Sequence, residues 1–181
     1  MRKLQKTIGN FDCPEIRSLA RLAETQSKRT LCLWSIDYAE AHLLPVFERE
    51  FPDDTRPQEA IANARGWLEG RVTFVDAKDT NNGAHNAATA AEGHPAAQAA
   101  ARAIAHASLT IHVSAHCMGI AFYGAAALAY DQLGLHATQD EYLAVAQQAW
   151  LEMEDALRTI VVDNETNPAK LNWGFWSSRI R

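Results

Sequence analysis

Apolar positions along this chain recur at three and four residues nearly throughout, the spacing of helices that each bury one stripe. Over 139–161 the positions Tyr142, Ala146, Trp150, Met153, Leu157 and Val161 predict a long amphipathic helix. Leu19, Leu22 and Ala23 mark a shorter one near the N-terminus. Leu31, Trp34, Tyr38 and Ala41 form a stripe within 28–51 that Pro45 kinks or ends. From Pro95 to 133 the chain is alanine-rich and holds only Gly119 and Gly124 as breakers, which suits central helices that approach closely. Two helices with a break near Ser108 to Thr110 are predicted there, the alternative being one long helix. No sustained period-two alternation appears. The β-prone Arg71-Val72-Thr73-Phe74-Val75 is too short and solitary to found a sheet.

Capping chemistry frames these stripes. Asp12 offers an N-cap carboxylate ahead of Pro14 and Glu15. Thr55 with Gln58, and Thr138 with Glu141, fit the reciprocal capping box. Gly93-His94-Pro95 supplies a turn and a proline for a first helical turn, and helix ends are expected at Gly66 to Gly70 and at Gly134. Residues 76–93, with Asn81-Asn82-Gly83 inside them, read as a loop or a poorly capped helix. The tail carries Trp173, Phe175 and Trp176 beside Arg179 and Arg181. It is expected to fold back so that its rings cover core, in preference to forming a binding patch. The pattern as a whole predicts an all-α, single-domain helical bundle of roughly six or seven helices. Its core would span about 12–162 and the tail 163–181 would pack back on it.

Composition narrows the class of function. A chain of 181 residues with 48% hydrophobic content can bury its own core, and a net charge of −5 disfavours nucleic acid or anionic membrane as a partner, since these normally require a basic face. Cys13, Cys32 and Cys117 have no CxxC spacing and read as reduced thiols rather than zinc ligands or a disulfide framework. The basic N-terminus lacks the apolar core of a signal peptide, and no run approaches the ~20 apolar residues of a membrane span. A soluble cytoplasmic protein is expected.

Candidate chemistry concentrates in residues 104–117, IAHASLTIHVSAHC. On a continuous helix His112 and His116 leave one face and could share a metal or ligand, whereas His106 lies about 120° away. The segment is not a metalloprotease motif, because valine follows His112 where the general base should stand. Asp37 and Glu40, three apart near His42, could act as acid and base, complete a metal site, or simply be bridged by Arg56, Arg65, Arg71 or Arg102. Neither a GxSxG nucleophile nor a glycine-rich phosphate loop is present. No catalytic residue, cofactor or bound metal is therefore expected, and His112 with His116 would be the ligands if a metal did bind. The reading instead places His106, His112 and His116 around a small polar cavity with Asp37, Glu40 and Arg102 as neighbours.

One block has a family character. Trp34, Asp37-Tyr38-Ala39-Glu40, Leu44-Pro45-Val46-Phe47, Thr55-Arg56-Pro57, Ala60-Ile61, Arg65-Gly66-Trp67 and Gly70 resemble, in that order, the bacterial immunity proteins grouped as immunity-five-like. The similarity continues through Ala101-Arg102-Ala103, His106, His112, His116, Tyr123 and Leu133-Gly134, about residues 30 to 135. What the resemblance implies is an all-helical protein that binds and neutralises a cognate bacterial toxin, with no catalytic residues to carry over. Within the block Trp34, Thr55, Arg56, Pro57, Arg65, Trp67 and Gly70 also have structural roles open to them as packing, capping and helix-ending residues. The alternative is a metal- or small-molecule-dependent enzyme, or a ligand-binding helical module, built on the histidines and carboxylates.

Overall fold

The computed structural model describes residues 4–177, which are helical with no strand among them. In chain order the helices are α1 (Pro14–Ala23), α2 (Lys28–Tyr38), a π turn (Ala39–Leu43), α3 (Leu44–Glu50), α4 (Arg56–Leu68), α5 (Phe74–Ala90) and α6 (Pro95–Leu109). A 3-10 segment (Ser114–Met118), a second π turn (Ile120–Gly124), α7 (Ala125–Leu133), α8 (Gln139–Arg158) and the short α9 (Gly174–Ser177) complete the chain. No helix among the described residues is long and apolar enough to cross a membrane.

Helix α6 is the axis of the bundle. It is apolar nearly all round, as a fully surrounded helix must be, and Ala97, Ala100, Ala101, Ala103 and Ala107 let its neighbours' backbones close in. It packs against α2, α3, α4, α5 and α7 and against both irregular segments that follow it, while α1 rests on α8. The break after α6 lies at Leu109 to Val113, where Thr110 caps the helix and β-branched residues turn the chain. The stripe of α8 is buried as its spacing predicts, through Tyr142, Ala146, Trp150, Met153 and Leu157.

Several local expectations are corrected. Ala41 is exposed, because the π turn inserts a residue and rotates the stripe begun by Leu31, Trp34 and Tyr38 off register. The same widened turn accommodates Pro45, so the chain runs helically from α2 into α3 instead of ending. Of the two readings of residues 76–93, helix is the one found, through Ala90, and it is well capped. Thr73 caps it by accepting the Asp76 N–H at 3.2 Å, and buried Asn81 donates from Nδ2 to the Ala105 carbonyl of α6. Asp12 does not cap α1, since the helix begins one residue later with Cys13 at the N-cap. Thr55 does not cap either. Its backbone is already helical, its hydroxyl donates to Glu59 at 2.7 Å, and Asp54 accepts from the Arg56 N–H at 3.3 Å. The box at Thr138 and Glu141 is formed in both directions. The end expected at Gly66 to Gly70 falls there: Gly66 lies in the last turn of α4, where a Cβ would meet Val72 at 2.5 Å, and its carbonyl accepts from the Arg71 N–H at 2.8 Å. Gly70, at φ +74°, is the residue that lets α4 stop.

The tail folds back. Buried Gln26, in the turn between α1 and α2, accepts from the Val162 N–H at 2.8 Å, and its own carbonyl accepts from Ala169 N–H at 2.8 Å. Trp173 donates from Nε1 to Glu24 at 2.7 Å, and Trp176 is fully buried. Arg179 and Arg181 lie outside the described residues.

Candidate functional site

The two outer histidines of the 104–117 segment meet across the chain break. His106, on the last turns of α6, and His116, in the 3-10 segment, bring their Nδ1 atoms to 2.8 Å with ring centroids 4.9 Å apart. Such a bond needs one nitrogen protonated and the other bare, so each ring's protonation is tied to its neighbour's. Both side chains are buried, at 4% and 9% exposure. Gly119 makes the close approach feasible, since a Cβ there would sit 2.2 Å from His106 Cβ.

Aromatic rings enclose the pair. Tyr123 lies parallel to His106 at 5.3 Å, and His85 of α5 meets it edge-on at 5.7 Å. From the tail, Phe175 packs on His116 at 4.8 Å and Trp176 on His106 at 5.0 Å. Trp176 is pinned there by donating from Nε1 to the Ala115 carbonyl at 2.6 Å. The tail thus closes the histidine pair from one side, and the central bundle closes it from the others.

The remaining predicted site residues are elsewhere, which corrects the expectation of one polar cavity. His112 is exposed in the turn after α6, its ring 5.4 Å from Phe74, because the break prevents it from sharing a helical face with His116. Asp37 and Glu40 are exposed and clamp Arg65 of α4, with Asp37 Oδ1 at 2.7 Å from Nη1. Burial opposes the Arg65 charge, but the hydrogen bond and charge of Asp37, with Glu40, outweigh it and raise its pKa. Arg102 is half-buried on α6 and makes no ion pair among the described residues. Among those residues no group of three or more His, Cys, Asp or Glu side chains is arranged to hold a metal ion. His85 was not singled out in the sequence, and Phe175 and Trp176, expected to cover core, were not tied to the histidines, because these contacts come from tertiary packing over separations no local pattern encodes.

The family block is mainly a packing block. Trp34 is buried and donates from Nε1 to the Met153 carbonyl at 2.9 Å, tying α2 to α8. Arg56 is chelated by Asp54, Nε to Oδ1 at 2.7 Å, and Pro57 is buried in the first turn of α4. Trp67 is half-buried, edge-on to Phe74 at 6.3 Å. Burial pushes the Cys32 thiol up to about 12, overriding Lys28 and Arg29, and burial raises Cys117 as well. Neither thiol is a nucleophile at neutral pH.

No curated protein and no solved structure matches this chain. The family model described as "Imm-5 like putative immunity protein" matches residues 21–156, from the end of α1 to the last turn of α8, and the chain belongs to that family.

Proposed function

We propose that the protein binds a cognate bacterial toxin in the cytoplasm of the producing cell and neutralises it stoichiometrically, without catalysis. Family membership is the observation that carries this reading. The disposition of the reactive side chains supports it. The histidine pair is enclosed by Tyr123, Phe175 and Trp176, and the Asp37–Glu40 carboxylates are committed to Arg65. Neither arrangement offers an open site where a substrate could meet both an acid and a base. The acidic balance, −5 over the chain, suits a basic partner surface and would hasten encounter with it. In this reading residues 1–181 act as one helical domain, and the tail beyond the family match serves as part of its core.

Co-expression with a candidate cognate toxin is the direct trial. Cells are expected to survive toxin induction only when this protein is present, and the two chains should co-purify. Survival without any complex, at protein levels far below the toxin's, would defeat the reading.

A further inference from the structure

After α8 the chain is bound to the bundle at separate points. Between α8 and α9 it carries no helix, and Asp163, Asn164, Thr166, Asn167 and Pro168 are exposed. Gln26 is the first clasp. Its side chain accepts from the Val162 N–H at 2.8 Å and donates from Nε2 to the Val162 carbonyl at 3.3 Å, while its own carbonyl accepts from the Ala169 N–H at 2.8 Å. One residue therefore holds both ends of the 162–169 loop, and they come free together. Inside the loop Asn164 takes the left-handed conformation, at φ 55°, which asparagine tolerates better than most residues. Further on, Trp173 donates to Glu24, and Trp176 is the hook, seated against His106 and Phe122 with its Nε1 on the Ala115 carbonyl.

The bundle has its own packing apart from these links. Helix α6 is surrounded by α2, α3, α4, α5 and α7, and α1 rests on α8. Packing of that kind holds until the whole domain unfolds, whereas a largely exposed segment at a chain end, held at a few points, opens at lower cost. What the tail covers gives its opening a consequence. Phe175 lies on His116 at 4.8 Å and Trp176 on His106 at 5.0 Å, so the tail forms one wall of the buried histidine pair.

We propose that the tail from Val162 onward is a strap that opens as one unit while the bundle stays folded, and that it gates access to the His106–His116 pair. The hinge is the stretch from Thr159 to Val161, just past the end of α8. With the hook withdrawn, the two imidazoles and the Ala115 carbonyl meet solvent. Native-state hydrogen exchange on the full chain tests the strap. The Val162 and Ala169 amides and the Trp176 indole N–H should share one protection factor, at least roughly tenfold below that of the Ala103 and Ile104 amides in α6. Tyr142→Phe removes a hydrogen bond inside the bundle, from Tyr142 to the Gly134 carbonyl. It should speed α6 exchange by about fivefold to tenfold and leave the tail protons unchanged, because the strap-open state keeps that bond. Trp176→Phe, which loses the donor to Ala115, should speed the Val162 and Ala169 amides by about tenfold. Labelling with diethyl pyrocarbonate, mapped by mass spectrometry, tests the gate. His106 and His116 should react more slowly than exposed His112, about tenfold faster in Trp176→Phe than in the parent, and at the parent rate in Tyr142→Phe. Equal acceleration of tail and α6 protons by Tyr142→Phe would mean that tail and bundle unfold together, and would overturn the strap. Labelling of the pair as fast as His112, or unmoved by Trp176→Phe, would overturn the gate.

Discussion

Replacing Trp176 with alanine separates a tail that is part of the core from one that only rests on it. The side chain is fully buried among His106, Phe122, Tyr123 and Phe175, and it supplies the hydrogen bond to the Ala115 carbonyl. Truncating a buried tryptophan costs about 3–5 kcal/mol, and the carbonyl stranded without its donor pushes towards the upper end. A segment near a chain end can relax into the void, which pulls the other way, so about 3–4 kcal/mol is expected. With a urea slope of about 2 kcal/mol per molar, the midpoint should fall by roughly 1.5–2 M. Urea melts followed by far-ultraviolet circular dichroism read this directly. Trp176→Phe, which keeps a ring but loses the donor, should cost only about 1–2 kcal/mol. A midpoint for Trp176→Ala within ~0.3 M of the parent would refute the reasoning, because the tail would then contribute little to the enclosure of the histidine pair.

Gly83→Ala should stabilise by about 0.5–1 kcal/mol, since the position is helical and a Cβ there would meet Arg56 at an ordinary 3.6 Å; a lower melting temperature would contradict the α4–α5 contact. Thr55→Ala should cost only a few tenths of a kcal/mol, because Asp54 rather than Thr55 accepts from the first helical amide of α4. The Arg56 hydrogen bond holds the Asp54 carboxyl below its ordinary range. Its stabilisation is therefore present above the unfolded value of about 3.9 and is lost as pH falls through the lower folded value. Urea midpoints of Asp54→Asn and the parent should accordingly differ at neutral pH and converge in acid. Thiol titration with Ellman's reagent at mildly alkaline pH should find Cys13 reactive in the folded protein and Cys32 and Cys117 reactive only on unfolding; fast reaction of Cys117 would contradict its burial.

The elements most legible in the sequence were those with long, regular stripes. Tyr142 to Leu157 wrote α8 outright, and of the two readings of 95–133 the one with a break near Ser108 to Thr110 holds, α6 ending at Leu109. The bridging of Asp37 and Glu40 by an arginine could also be anticipated, because carboxylates three apart on a helix face invite one. Ala41 was misplaced because a π turn adds a residue without altering the composition on which the stripe was read. The cap at Asp12 missed by one residue, whereas Thr55 stands at the N-cap of α4 as expected but leaves the backbone N–H to the neighbouring Asp54. Helix α5 was obscured by Asn81, whose polar side chain looks disruptive locally and is satisfied only by the carbonyl of Ala105 in another helix. The histidines illustrate the same limit. Pairing His112 with His116 assumed a helix across both, whereas the break hands His116 to His106 and leaves His112 at the surface.

Neutralisation by association, as opposed to turnover, is the central claim, and a titration of toxin activity with purified protein tests it most directly. The account predicts that residual activity falls in proportion to the protein added and vanishes near one equivalent, with the toxin recovered chemically unchanged from the complex. Complete protection by a small fraction of an equivalent, with a modified toxin left behind, would contradict it and would make the protein an enzyme.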